Sequence, residues 1–154
     1  MANGIVAALF ICPAAGEPMQ HVAAVEAIAG AGLKGDRYAT GQGSFNKGRQ
    51  GQRQVTLINS HFFVGNGFSY PESRRNIVTT GIELMWLIGR EFRVGEALLR
   101  GVKYCDPCMR PNKLSGNAES FQDLFHDAGG LIAEIFERGL IRTNDAVVPP
   151  EKGY

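Results

Sequence analysis

Arg90-Glu91-Phe92-Arg93-Val94-Gly95-Glu96-Ala97-Leu98-Leu99-Arg100-Gly101-Val102 is the stretch that decides the fold. Its first part alternates, so Phe92 and Val94 fall on one face of a strand. Gly95 marks a turn, and Glu96 to Val102 reads as a second strand with Leu98 in its middle. Two short strands joined by a tight turn are antiparallel in character. The same grammar runs outward in both directions. Strands are short, glycines punctuate them, and no repeated crossover helices separate them. The expectation is a mainly β, barrel-like domain with a few short helices.

Upstream, Gly4 to Ile11 is a strand that is apolar throughout, ended by Cys12 and Pro13. Met19 to Ala29 fits a strand or a short helix. As a strand it would put His21, Ala23 and Val25 on one face. Residues 55–58 and 77–79 are strand-like, and Leu84 to Ile88 reads as a helical turn ended by Gly89. Downstream, Ser120 is placed to cap a helix from Phe121 to Asp127, with Phe121, Leu124 and Phe125 on one face. Leu131 to Phe136, a hairpin turn at Glu137-Arg138-Gly139, Leu140 to Thr143 and Ala146 to Val148 complete the pattern. The chain, 1–154, is expected to be one domain with a tail frayed from about 149.

A chain of 154 residues buries roughly two-thirds of its unfolded surface and needs no staple. Sixteen Lys and Arg against fifteen Asp and Glu give a formal charge of +1, so no global field recruits nucleic acid or an anionic membrane. Eleven of the sixteen bases are arginine, whose planar fork suits carboxylate and phosphate partners. The N-terminus lacks the basic and apolar regions of a signal peptide, and no apolar run is long enough to span a membrane. A cytoplasmic protein with reduced thiols is expected.

Chemistry concentrates in three places. Tyr104-Cys105-Asp106-Pro107-Cys108-Met109-Arg110-Pro111 puts two thiols beside basic groups on a loop. It reads either as a metal or sulfur site or as a turn with two buried cysteines. Ala31 to Phe45 is a glycine-dense loop bearing Lys34, Asp36 and Arg37. It reads either as a ligand-gripping loop or as a solvated linker with a local Asp–Arg pair. Arg74-Arg75-Asn76 stands at a strand entrance, where binding loops often lie. One Cys-x-x-Cys supplies at most two of the four ligands a structural zinc needs, and His21, His61 and His126 are scattered. A thioredoxin-type dithiol lacks its βαβ setting, and no GxSxG marks a hydrolase. Cys12 ends an apolar strand and reads as core.

Taken in order, Gly32-Leu33-Lys34-Gly35-Asp36-Arg37-Tyr38 with Gln54-Val55-Thr56-Leu57-Ile58, then Arg74 to Ile82 with Leu87 to Gly95, then Cys105-Asp106-Pro107-Cys108, resemble the MOSC family, the domain that ends molybdenum cofactor sulfurases and also stands alone in small bacterial proteins. The resemblance implies a β-rich barrel-like fold. It implies that Cys108, the cysteine after the proline, carries sulfur or ligates the molybdenum of a molybdopterin, with Cys105 an accessory thiol. It places Asp36, Arg37, Arg75 and Asn76 near that site; Lys34 in the same loop could help grip an anionic group, and Arg110 beside Cys108 could favour its thiolate. Tyr38 stands where many members have histidine. The implied role is cofactor binding, as the molybdenum component of a reductase for N-hydroxylated compounds. The alternative is a sulfur carrier forming a persulfide on Cys108. No bound PLP is implied in this chain. The implied partners are the pterin cofactor and either a cysteine desulfurase or an electron-donor protein.

Overall fold

The computed structural model describes residues 2–43, 51–65, 67–107, 120–125 and 128–151. Its strands, in chain order, are β1 (Gly4–Ile11), β2 (Gln20–Val22), β3 (Ala24–Ile28), β4 (Gly32–Leu33), β5 (Val55–Asn59), β6 (Ile77–Thr80), β7 (Glu91–Val94), β8 (Ala97–Tyr104), β9 (Leu131–Glu137), β10 (Gly139–Arg142) and β11 (Ala146–Val148). Seven of them form a closed barrel in the order β11-β7-β8-β9-β5-β6-β1, sealed by pairing of β1 with β11. Closure leaves the barrel strands without a free edge. β2 adds to the far end of β1, and β10-β3-β4 make a second, three-stranded sheet.

The barrel interior is filled by alternate residues of its strands, among them Leu57, Ile77, Phe92, Val94, Leu99, Leu131, Ala133 and Val147. The second sheet adds Val25, Ala27, Leu33 and Ile141 to the same core. β1 is apolar throughout because it has work on both faces. A bulge between Val6 and Ala8 turns Val6 and Leu9 inward. Ala8 and Phe10 face outward into a second apolar cluster with Phe63, Phe68, Phe121 and Phe125. Among the described residues there is one α-helix, α1 (Phe121–Leu124), capped by Ser120, whose Oγ accepts from the Asp123 amide at 3.2 Å. Phe121 and Phe125 stack at 4.2 Å and are buried, whereas Leu124 is exposed, because one helical turn meets the barrel along a narrow line. Residues 126 and 127, the expected end of that helix, lie outside the described residues.

Three expectations need correction. Met19 to Ala29 is not one element. The chain bends at Ala23, β2 stays with the barrel and β3 enters the second sheet. His21 and Ala23 are therefore exposed while Val25 is buried. Glu137-Arg138-Gly139 is no hairpin turn, since β9 pairs with β8 and β5 while β10 pairs with β3. Arg138 is where the chain crosses from barrel to second sheet. The pairing is also not wholly antiparallel, because β5 and β6 run parallel. The intervening chain, with 3-10 turns at Ser60–Phe63 and Pro71–Ser73, carries it back to the starting end. At the tail, Pro149 is buried and Glu151 exposed, and 152–154 lie outside the described residues.

Candidate functional site

The strand registers set one row of paired residues across the barrel wall. Leu9 pairs with Ile77, Ile77 with Leu57, Leu57 with Leu131, and Leu131 with Tyr104. One step toward the start of β5 and β6 stand Thr56 and Asn76, with Phe10 beside them on β1, whereas Gly130 and Cys105 lie one step to the other side of this row, next to Ile58. The three stretches singled out in the sequence are joined into one rim by long side chains: Asn76 meets Asp36, Arg75 reaches the carbonyls of Gly129 and Asp106, and Arg53 reaches Cys105. Arg74-Arg75-Asn76 enters β6, Tyr104-Cys105-Asp106 leaves β8, and the 32–38 loop folds over the end of β1.

Asp36 anchors that loop. Its Oδ1 accepts from the Cys12 amide at 2.8 Å, from Asn76 Nδ2 at 3.2 Å and from Arg37 Nη1 at 3.2 Å. Its Oδ2 accepts from the Tyr38 amide at 3.2 Å. The carboxyl is fully buried, and burial pushes its pKa up, against the pull of Arg37 and of its hydrogen bonds from Cys12, Tyr38 and Asn76. The solvated-linker reading of this loop is thus overturned. An aspartate with four donors from three stretches is a tie-point, not a surface charge.

Asn76 is equally committed. Its Oδ1 accepts from the Thr56 amide and hydroxyl, and its Nδ2 donates to Phe10 O at 3.1 Å as well as to Asp36. Asp36 and Asn76 therefore brace the rim with their polar atoms turned into the protein. Lys34 is exposed, away from this buried network, and its amide donates to Glu26 O.

The cations gather around the braces. Arg37, Arg74 and Arg75 are 6%, 8% and 4% exposed, and Asp36 is the only buried acid among the described residues. Tyr38 lies between two guanidiniums, with Arg37 at 4.6 Å and Arg53 at 5.3 Å from its ring centroid. Arg53 continues to Cys105, donating from Nη2 to Sγ at 3.7 Å. Burial works against the Arg53 charge, but Cys105 and Tyr38 outweigh it and hold its pKa above the ordinary value. Arg75 donates to three carbonyls, Gly129 at 2.7 Å, Ser73 at 3.2 Å and Asp106 at 3.4 Å.

The two described thiols differ. Cys12 Sγ donates to Ala14 O at 2.8 Å and lies 3.7 Å from Arg74 Nη2, so the expected core cysteine is buried at the edge of the arginine cluster. Cys105 is buried against Arg53. Cys108 and Arg110 lie outside the described residues. Arg74 stands out in the sequence only as a base at a strand entrance, and Arg53 is not among the candidate site residues. Their spacing carries no signal of the contacts to Tyr38, Cys105 and Cys12, which are made across the fold. No group of three or more His, Cys, Asp or Glu side chains among the described residues could hold a metal by itself.

An open groove of about 700 Å³ on the outer wall, lined by Arg90, Arg93, Arg100 and Val148, is distinct from this rim. Its cations are offset locally, since Glu91 and Glu151 line it and Arg93 pairs with Glu137 at 2.9 Å. No helix among the described residues is long and apolar enough to cross a membrane.

The model of the MOSC domain matches residues 52–148. That range takes in Arg53, Arg74, Arg75, Asn76 and Cys105 but not the Asp36 loop. No curated protein matches the chain significantly. Among solved structures, the YuaD protein from Bacillus subtilis superposes with a TM-score of 0.76 at 15% identity, covering 95% of this chain and 94% of that one. YiiM from Escherichia coli gives 0.69 at 17% identity, over 99% and 71% of the two chains. YiiM from Geobacillus stearothermophilus gives 0.69 at 14% identity, over 96% and 75%. At such identities the likeness is one of fold.

Proposed function

Because the chain belongs to the MOSC domain family, we propose that it binds a molybdenum–molybdopterin cofactor at the barrel rim and serves as the molybdenum component of a reductase acting on N-hydroxylated compounds. The observation that carries this reading is the charge of the rim. Arg75 is 4% exposed, and Asp36 is the single buried carboxylate among the described residues. Buried cations are stable where opposite charge meets them. Arg37 pairs with Asp36, but the partners of Arg75 among the described residues are neutral carbonyls and a ring. A phosphate-bearing, planar, anionic ligand suits that surplus, and guanidinium forks suit phosphate oxygens and a pterin edge.

In this reading Arg37, Arg53 and Arg75 supply the positive field for the ligand, with Lys34 and Arg110 from the adjoining stretches. Asp36 and Asn76 hold the rim in shape. Cys108 offers a soft thiolate to the metal. The cofactor, when bound, supplies the redox chemistry, and an external protein supplies electrons. The protein's own part is to orient the ligand and keep Cys108 beside it. The whole chain, 1–154, is read as one such domain in the cytoplasm.

The test is metal analysis and pterin fluorescence on the protein and on Cys108→Ser, both made in a cofactor-competent host. Molybdenum and pterin are expected with the unsubstituted protein and a marked loss of molybdenum with the variant. Absence of both from the unsubstituted protein, where a control protein loads, overturns the reading. An added sulfur on Cys108 after incubation with a cysteine desulfurase, in protein that takes no molybdenum, would replace it with the sulfur-carrier reading.

A further inference from the structure

We infer that Arg75 is a positioning residue, and that its guanidinium clasps the two feet of the chain excursion that bears Cys108. The excursion leaves the barrel at the end of β8 and returns at the start of β9. Its last ladder contact is the Cys105 amide donating to Gly130 O at 2.8 Å. Immediately beyond, Arg75 Nη2 donates to Asp106 O on the outgoing foot, and Nε donates to Gly129 O on the returning foot. Nη1 donates to Ser73 O, which ties both feet to the entrance of β6. The same guanidinium lies 5.8 Å from the ring centroid of Phe121, on the helix of the returning arm.

Two independent features say that the feet belong together. A Cβ on Gly129 would run into Cys105 O and the Pro107 ring, so the two arms touch there backbone to backbone. Tyr104 Oη accepts from the Gly129 amide at 3.0 Å and reaches Phe125 O at 3.4 Å. Arg75 completes this base with the donors that face it.

Arginine suits the task because its rigid fork presents five donors in fixed directions, enough to meet three carbonyls from three segments at once. Lysine has one nitrogen at the end of a flexible stem and cannot span the same three oxygens. The position therefore calls for the shape of the guanidinium as well as its charge. The functional meaning of the clasp rests on the reading of Cys108 as the metal-facing thiol: it fixes where that thiol's loop begins and ends. Its geometry involves described residues alone and is tested without cofactor.

The experiment measures iodoacetamide alkylation of Cys105 and Cys12, resolved by peptide mass spectrometry, in a Cys108→Ser background with Arg75, Arg75→Gln or Arg75→Lys. Cys105 is buried beside the clasp. Cys12 is buried against Arg74 and reports general loosening. Both substitutions are expected to speed Cys105 alkylation roughly tenfold, the order set by losing one charge-assisted hydrogen bond, with Cys12 unchanged. Arg75→Lys keeps the charge and most of the bulk, and carries the test where Arg75→Gln does not fold. Protection of Cys105 by lysine equal to that by arginine overturns the inference, because charge alone would then suffice. A parallel rise at both thiols also overturns it, because Arg75 would then support the whole domain. Failure to load molybdenum leaves these rates untouched, so the cofactor reading and the clasp fail separately.

Discussion

Asn76 Nδ2 donates to Asp36 Oδ1 across 3.2 Å, joining the entrance of β6 to the loop that follows β4. Forty residues separate the two. Both side chains are fully buried, and between them they bond to β1, β5 and the backbone of their own loop. This pair is the joint through which the cation-bearing stretches become one rim. A buried joint of this kind is valuable only when every polar atom is satisfied, and here the carboxylate and the amide each use both of their polar atoms.

Replacing Asn76 by Ala is therefore expected to cost on the order of 3 kcal/mol, because the Thr56 amide and Phe10 carbonyl lose a buried partner together. Urea unfolding would show the loss as a lower midpoint with an unchanged slope. Asn76→Asp should be at least as damaging at neutral pH, since it sets a second acceptor against Phe10 O and Asp36. Part of that cost should return on acidification.

Asp36 gives a pH signature of definite sign. Burial raises its folded pKa above 3.8, despite Arg37 and the donors from Cys12, Tyr38 and Asn76. In the window between 3.8 and the folded value, the native state binds more protons than the unfolded chain. Stability from this group is thus fully present below 3.8 and falls as pH rises through the folded pKa. Asp36→Asn removes the titration and leaves a pH-independent penalty at the Tyr38 amide, which loses its acceptor oxygen. The difference in unfolding free energy should move in favour of the variant as pH rises across the window, then level off. Urea midpoints measured from acid to neutral pH check this, and a flat difference would contradict it.

The barrel was legible in the sequence because its strands carry their own punctuation. Phe92 and Val94 alternate, Gly95 turns, and the next strand begins two residues later. Contacts that depend on where strands meet were not legible. The parallel partnership of β5 and β6 needs a return path that no short motif announces. Arg138 marks a sheet crossing that has the composition of a hairpin turn. The loop around Asp36 reads as polar and solvated because its partners, the Cys12 amide and Asn76, lie far away in the chain. The family pattern compensated in part: it led to Asp36, Arg37, Arg75 and Asn76 on one rim. Arg53 remained hidden, because its link to Tyr38 and Cys105 is made by its long side chain across the fold.

Tyr38 should be more important for its ring than for its hydroxyl. The ring is packed between Arg37 and Arg53 and is only 2% exposed. Tyr38→Phe keeps the face that both guanidiniums meet and is expected to cost about 1 kcal/mol, the worth of a typical hydrogen bond. Tyr38→Ala removes the cation–π contacts and opens a cavity, for roughly 3–5 kcal/mol. Thermal or urea unfolding of the two variants side by side decides the order. If Tyr38→Phe were the worse of the two, the hydroxyl would be the essential part.

Arg74 poses the opposite balance between backbone and side chain. It sits in the left-handed region at φ 62°, ψ 26°, closing the Pro71–Ser73 turn, a conformation that costs a side-chain-bearing residue about 1 kcal/mol relative to glycine. The arginine bears that cost while its buried guanidinium reaches Cys12 Sγ, 62 residues away in the chain. Both Arg74→Ala and Arg74→Gly lose this contact, but only glycine relieves the backbone. Arg74→Gly is therefore expected to be more stable than Arg74→Ala by about 1 kcal/mol, with both below the unsubstituted protein. Equal stability of the two variants would mean that the turn relaxes once the side chain is gone. A glycine variant more stable than the unsubstituted protein would mean that the contact with Cys12 contributes less than the strain it imposes.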